Sequence, residues 1–449
     1  MKMIHDIRKV FNAHLITLIT GTVIGFILPA LLPVGQYAEI KTFSLYLSLI
    51  GIFHFGFVDG VFLKYGGKKA AEIDKQSLVS EKRFLFWFQL LLTLLLVIAG
   101  LKLENNIVLA FALSLLPANM IAFYQFIYQA LGEFSLYARI MYVTSFGNLI
   151  IPLILIALKV KSSLFYISGM VIIYYIVYLA LERFNPFKQH SKIKWDFADY
   201  KQCFYSGIFI LISNFSMLLF YTMDRWFVKL YFDTKSFAFY SFAISMMTAV
   251  NVLIGSLTTT MYPYLARIRD SDKLCRIRDY LLILGTFVSG SIFIFSFIVN
   301  HFITEYVHSL NIITILFAGF PAIIIVNVLF INLYKVEKKQ KKYLIIVSIL
   351  LVVSALAIII TVHLFHNYLS VAFVTVLAFY IWFFYSTHDF TNIQHSSGIV
   401  LYLFSFLVLY SVTTYYCNDI AGIIIYYPAM AVITYFFIGK RNPWSKMRD

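Results

Sequence analysis

Apolar residues come in runs of about 20, the length that spans a bilayer as helix, and polar residues cluster in the short gaps between them. The ten-residue alternating segments of a membrane β-barrel are absent. The pattern predicts about fourteen spanning helices. They lie near His14–Val34, Thr42–Leu63, Phe84–Leu101, Ile107–Ala130, Ile140–Leu158, Leu164–Leu181 and Ser206–Val228 in the first part of the chain. The rest fall near Phe237–Leu265, Leu281–Phe302, Asn311–Leu333, Tyr343–Val362, Ser370–Tyr385, Ile399–Tyr416 and Gly422–Ile438. The basic start with Lys2, Arg8 and Lys9 precedes a run too long for a signal-peptide core, so it is read as a retained first helix.

Lysine and arginine give the orientation. With the N-terminus in the cytoplasm, 29 of the 36 basic residues fall on the cytoplasmic side, six fall outside and Arg225 lies in a span. That bias is the positive-inside rule, and it predicts both termini in the cytoplasm. The net charge of +15 is thus a loop property rather than a nucleic-acid surface.

Composition agrees. The chain is 61% hydrophobic and 13% charged, against about 45–50% and about 25% in soluble domains. Cys203, Cys275 and Cys417 are scattered, so neither a disulfide framework nor a thiolate metal site is expected. No catalytic or ATP-binding motif is present, and neither cofactor nor metal is expected.

The halves resemble each other. EIKTFSLYLSLI (Glu39–Ile50) can be laid on SFAFYSFAISMM (Ser236–Met247), an offset of 197 residues. The fold class expected is all-α integral membrane: two six-helix bundles in parallel repeat plus two C-terminal helices. The boundaries are 1–184 and 202–388 for the bundles, 185–201 for a basic linker, and 389–449 for the extra helices and tail. Parallel repeats place a substrate path between halves.

Polar residues inside spans are the candidate chemistry, because charge at membrane depth is costly and kept for a purpose. His54 and Asp59 sit in the second span, Asn148 in the fifth, Asn214, Asp224 and Arg225 in the seventh, and Asn327 in the tenth. Lys229 follows Arg225 by about one helical turn. Asp224 stands 18 residues beyond Ser206, which is about 27 Å and near the outer edge of the hydrocarbon. Arg225 either snorkels at that interface or lines the outer mouth of a cavity, where its planar fork of donors matches phosphate. GTVIG (Gly21–Gly25) and GFVDG (Gly56–Gly60) are small-xxx-small patterns for close helix packing or a moving interface.

Three passages, GFVDGVFLKYGGKK (Gly56–Lys69), SNFSMLLFYTMDRWFV (Ser213–Val228) and FAFYSFAISM (Phe237–Met246), resemble the Wzx-type polysaccharide-repeat flippases. These belong to the polysaccharide transporter family of the multidrug/oligosaccharidyl-lipid/polysaccharide exporter superfamily. The resemblance implies a transporter, not an enzyme, in the bacterial inner membrane. Its cargo would be an undecaprenyl-diphosphate-linked oligosaccharide for O-antigen, lipopolysaccharide or capsule, flipped by alternating access. Membrane lipids, a polysaccharide polymerase and a chain-length regulator are the implied partners. Asp224 matches the acid common in the family's seventh helix, and Arg225 is the residue implied to hold the diphosphate. A drug or small-solute exporter of the same superfamily is the alternative, and a membrane polymerase or acyltransferase a further one.

Overall fold

The computed structural model describes residues 2–68, 72–184, 195–265, 268, 270–390, 393 and 397–437. The expected linker therefore lies partly outside the described residues, as does the C-terminal tail beyond 437. The described chain is helical, with no strand among the described residues. Eleven described helices are long and apolar enough to cross a membrane, or thirteen when two bent pairs each count as one span. The helix Thr234–Leu265 occupies the place of the eighth predicted span.

Packing divides the chain into two units, Met1–Thr222 and Met223–Asp449. The first unit contains α1 (Lys2–Leu31), α2 (Val34–Leu47), a short 3-10 helix (Ile50–His54), α3 (Phe57–Tyr65), α4 (Lys75–Lys102) and α5 (Asn106–Ala130). It continues through α6 (Phe134–Ala157) and α7 (Ser163–Arg183). The boundary falls within α8 (Phe197–Tyr231). In the first unit α1 packs on α6, and α5 packs on α3, α4 and α7.

The second unit holds the end of α8, α9 (Thr234–Leu265), α10 (Ser271–Ser289), α11 (Ile292–Phe302), α12 (Ser309–Phe317) and α13 (Phe320–Ile325). A π turn (Val326–Phe330) leads to α14 (Ile331–Val336), α15 (Gln340–Phe365), α16 (Tyr368–Asp389), α17 (Ser397–Tyr416) and α18 (Asp419–Phe437). Within it α10 packs on α13, α9 on α12 and α15 on α16.

Asn105 and Asn367 start their helices by accepting backbone N–H groups, Ile107 and Val108 in the first case and Leu369 in the second.

The helices face lipid. On α4 the exposed residues are Trp87, Leu91, Leu94, Leu95 and Ile98. The buried stripe of the same helix is Glu81, Leu85, Gln89 and Thr93. That is the reverse of a water-soluble helix, whose apolar stripe faces inward. α15 presents Ile345, Ile349, Val352, Val353, Leu356 and Ile360 outward in the same way. Apolar faces of this extent need hydrocarbon around them.

Two predicted spans are broken. Val34–His54 and Phe57–Tyr65 meet at 61°, and Ser309–Phe317 and Phe320–Val336 at 50°. In the first, Phe55 and Gly56 take φ of 49° and 83°, left-handed conformations that end one helix and begin the next. In the second, Pro321 opens the new limb, where its missing N–H costs nothing.

Candidate functional site

The first break is a polar site built into an apolar region. Its frayed carbonyls are met by amides from two neighbouring helices. Gln89 of α4 donates to Phe53 O at 2.9 Å, and Asn119 of α5 donates to Ile50 O at 3.3 Å. Asn119 also donates to Gln89 Oε1 at 2.8 Å, so the amides brace each other. In hydrocarbon, freed backbone groups need such partners.

His54 closes the 3-10 helix and Asp59 lies in the first turn of α3. Both are buried, at 4% and 3% exposure. Their Nδ1 and Oδ2 atoms are 3.8 Å apart. Gly56 N–H donates to His54 Nδ1 at 3.2 Å. Asp59 Oδ2 has no hydrogen-bond partner.

Glycine makes the crossing beside the site. A Cβ on Gly60 would strike the Cys203 carbonyl of α8, and one on Gly207 would strike the Gly56 carbonyl. Gly56–Gly60 and Cys203–Gly207 thus meet as two small-xxx-small faces with backbones in contact. At Gly21 an added Cβ would meet nothing within 4 Å, so that glycine marks no such crossing.

Below the crossing, Lys64 gathers three helices. Its ammonium donates to Glu81 Oε1 at 2.6 Å, to Asp199 Oδ2 at 2.6 Å and to Ser77 Oγ at 3.0 Å. Glu81 is fully buried. Ligand atoms of Glu81, Asp199 and Cys203 lie within 4.8 Å of one another, a spacing that could hold a metal ion. Lys64 already supplies the positive charge to both carboxylates. A second pair, Lys82 with Glu182 at 2.7 Å, ties α4 to α7, and Tyr124 of α5 donates to Glu182 at 2.9 Å.

The remaining predicted residues are placed as follows. Asp224 is buried in the second unit, where Tyr240 OH of α9 donates to its Oδ2 at 3.1 Å. Arg225 is half-buried, with Nε 3.9 Å from Asp224 Oδ1. Lys229 lies over the Phe237 ring at 5.1 Å. Asn214 is exposed, and Asn148 and Asn327 are half-buried. Asn327 lies in the π turn, and Asn332 just beyond it donates to Thr258 O and Val328 O, both at 2.9 Å.

Of the predicted set, the structure joins His54 with Asp59 and Asp224 with Arg225. Sequence reasoning missed Gln89, the Lys64–Glu81–Asp199 network and Tyr240. Gln89 left one signal, as a lone amide within the run FWFQLLL.

Residues 71–269 match a family profile described as polysaccharide biosynthesis protein. Among curated proteins, none matches the sequence. The fold is similar to that of a lipid II flippase, MurJ, in its inward closed conformation, with a TM-score of 0.71 and 14% identity over 98% of this chain and 99% of that one. It is also similar to a MOP superfamily transporter from Pyrococcus furiosus, with a TM-score of 0.52 and 12% identity over 87% of this chain and 96% of the other. An inward-facing multidrug resistance MATE transporter aligns with a TM-score of 0.51 and 12% identity over 86% and 96%. The chain therefore has a fold similar to those of a lipid II flippase and of MOP superfamily transporters, and its residues 71–269 match a polysaccharide biosynthesis family.

Proposed function

We propose that the protein flips undecaprenyl-diphosphate-linked oligosaccharide units from the cytoplasmic to the outer leaflet for surface polysaccharide assembly. The observation that carries this is the likeness to a lipid flippase along 98% of the chain, where the multidrug and archaeal transporters align over 86–87%. The helices beyond a twelve-span transporter favour the glycan reading over a small-solute exporter. The match to a polysaccharide biosynthesis family supports the same cargo class.

In this reading the bundles at 1–184 and 202–388 alternate access around a polar path, with both termini in the cytoplasm. Asp59, His54, Asn148, Asn214 and Asn327 belong to that path. Arg225 holds the diphosphate, with Lys229 beyond it and Asp224 setting its position. A guanidinium keeps its charge at any depth and fits two phosphate oxygens at once. A polysaccharide polymerase and a chain-length regulator act on the product.

Depleting the protein is expected to make lipid-linked repeat units accumulate on the cytoplasmic face and surface glycan fall. Arg225→Ala, expressed normally, is expected to reproduce that loss, with Arg225→Lys giving partial export. Unchanged lipid intermediates with normal surface glycan on depletion would sink the flippase reading. Full export by Arg225→Ala alone would remove only the role given to that residue.

A further inference from the structure

Two carboxylates share a single ammonium where α3, α4 and α8 meet. A lysine ammonium has three N–H donors. Lys64 meets four acceptors: Glu81 Oε1 at 2.6 Å, Ser77 Oγ at 3.0 Å, and the two Asp199 oxygens at 2.7 and 2.6 Å. One Asp199 oxygen is therefore surplus to the lysine. Glu81 is divided more sharply. Its Oε1 accepts from Lys64, and from Tyr65 OH and Ser77 Oγ, both at 3.3 Å. Its Oε2 is buried and has no hydrogen-bond partner among the described residues. Charge is left over as well. Two carboxylates face one ammonium, and Glu81 is fully buried, where an unbalanced charge is costly.

Cys203 supplies a third group. Asp199 and Cys203 are four residues apart on α8, so they share one face of that helix. The Cys203 sulfur, a Glu81 oxygen and an Asp199 oxygen lie within 4.8 Å of one another. Tetrahedral zinc binds such atoms at about 2.0–2.3 Å, which sets them about 3.3–3.8 Å apart. The remaining difference, about 1 Å, is within reach of side-chain rotation. The donor set selects the ion. Magnesium and calcium take oxygen ligands and leave a thiolate unused. Copper(I) prefers sulfur and leaves the carboxylates unused. Zinc accepts both.

We propose that Glu81, Asp199 and Cys203 form a zinc site that fastens the start of α8 to α4, with water as the fourth ligand. The zinc–sulfur bond forms as the Cys203 thiol proton leaves for water. Glu81 Oε2 and the surplus Asp199 oxygen each contribute a lone pair. Lys64 keeps all three donors in use, on Ser77, Glu81 Oε1 and the other Asp199 oxygen. There it orients the ligating carboxylates, as outer-shell donors do. Three anionic ligands against a dication and an ammonium leave the site neutral. Lys64 and Asp199 are partly exposed and give the ion its way in. The site does not depend on the cargo proposed above.

The test is titration of the untagged full-length protein in lipid nanodiscs with cobalt(II), after treatment with a chelator and a phosphine reductant. Wild type is expected to bind about one ion per chain, with the intense visible bands of tetrahedral cobalt and a sulfur-to-cobalt charge-transfer band. Zinc is expected to displace it, and excess magnesium to leave it in place. Cys203→Ser is expected to lose the charge-transfer band. Both Cys203→Ser and Glu81→Gln are expected to bind zinc at least about tenfold more weakly. Zinc is expected to raise the unfolding temperature of wild type and not of Cys203→Ser. The double variant Cys275→Ser with Cys417→Ser is expected to match wild type. Should Glu81→Gln not fold, the cysteine variants carry the assignment. Absence of the charge-transfer band in wild type overturns the proposal, and means that the two carboxylates settle their excess charge by sharing a proton. So does a band that survives in Cys203→Ser, or one lost in the Cys275 and Cys417 double variant, since either places the metal on another thiol.

Discussion

At the offset of 197 residues, the second span of the first half lies on α9 of the second, yet one is broken and the other is a continuous helix of 32 residues. The sequence differences sit where the structures differ. Gly56 aligns with Leu253, His54 with Asn251, Asp59 with Ser256 and Lys64 with Met261. Where the first half has a left-handed glycine and ionisable groups on either side of it, the second has residues content in a helix. A broken span is thus a local decision of a few residues, made on a shared pattern of apolar runs. The next helix keeps its buried polar positions across the halves with different chemistry. Glu81 lies on Arg278 and Gln89 on Thr286, all buried.

The sharpest way to break this contrast is Gly56→Leu, which writes the α9 residue into the break. A Cβ there meets Gly207 C and Ile208 N at 2.7 Å, and φ of 83° excludes a branched side chain. Strain and overpacking together predict a loss of about 3 kcal/mol or more, from about 1–3 each. The reciprocal Leu253→Gly puts glycine in a helix interior and is expected to cost about 1 kcal/mol. Thermal unfolding in detergent separates the two. Equal losses would mean that Gly56 does not set the break.

Next in size is Lys64→Met, again copying α9. It strands Glu81 and Asp199 beside each other with no cation, and breaking a buried pair of this kind costs about 3–5 kcal/mol. Because Lys64 is partly exposed, the lower end, about 3 kcal/mol, is expected. Adding Glu81→Gln and Asp199→Asn removes the stranded charges and is expected to restore most of the loss. If the triple variant is no more stable than Lys64→Met, then the lysine acts through packing rather than charge.

These residues also mark what the sequence could and could not convey. Span number and the lipid-facing stripes follow from run length and from polar clusters, both local. Gly56 was legible as a packing glycine, and so it proved against Gly207 and Ile208, but its positive φ was not. A glycine in a small-xxx-small pattern looks the same in a straight helix. Lys64 and Glu81 lay in a stretch counted as a basic loop, where charge normally faces water. Their partnership spans 17 residues, and that of Lys64 with Asp199 spans 135, so no local period reveals it. His54 and Asp59 stood out because charge inside an apolar run is rare. That rarity identifies the residues without indicating their partners.

The smallest effect concerns a polar pair that the second half has and the first lacks. Asp224 and Tyr240 lie at the offset on Ile27 and Phe43. Tyr240→Phe deletes the 3.1 Å hydrogen bond and leaves Asp224 Oδ2 buried without its donor. A net hydrogen bond is worth about 1 kcal/mol, and an orphaned acceptor raises the cost toward about 1–3. Replacing both members by apolar groups of similar shape can be nearly neutral. Asp224→Ile with Tyr240→Phe, which copies the first half, is therefore expected to be more stable than Tyr240→Phe alone. Stability of the double variant at or below that of the single one would mean that the contacts of Asp224 with Arg225 outweigh its bond to Tyr240. In that case the contrast between halves at this position would be one of network, not of a single bond.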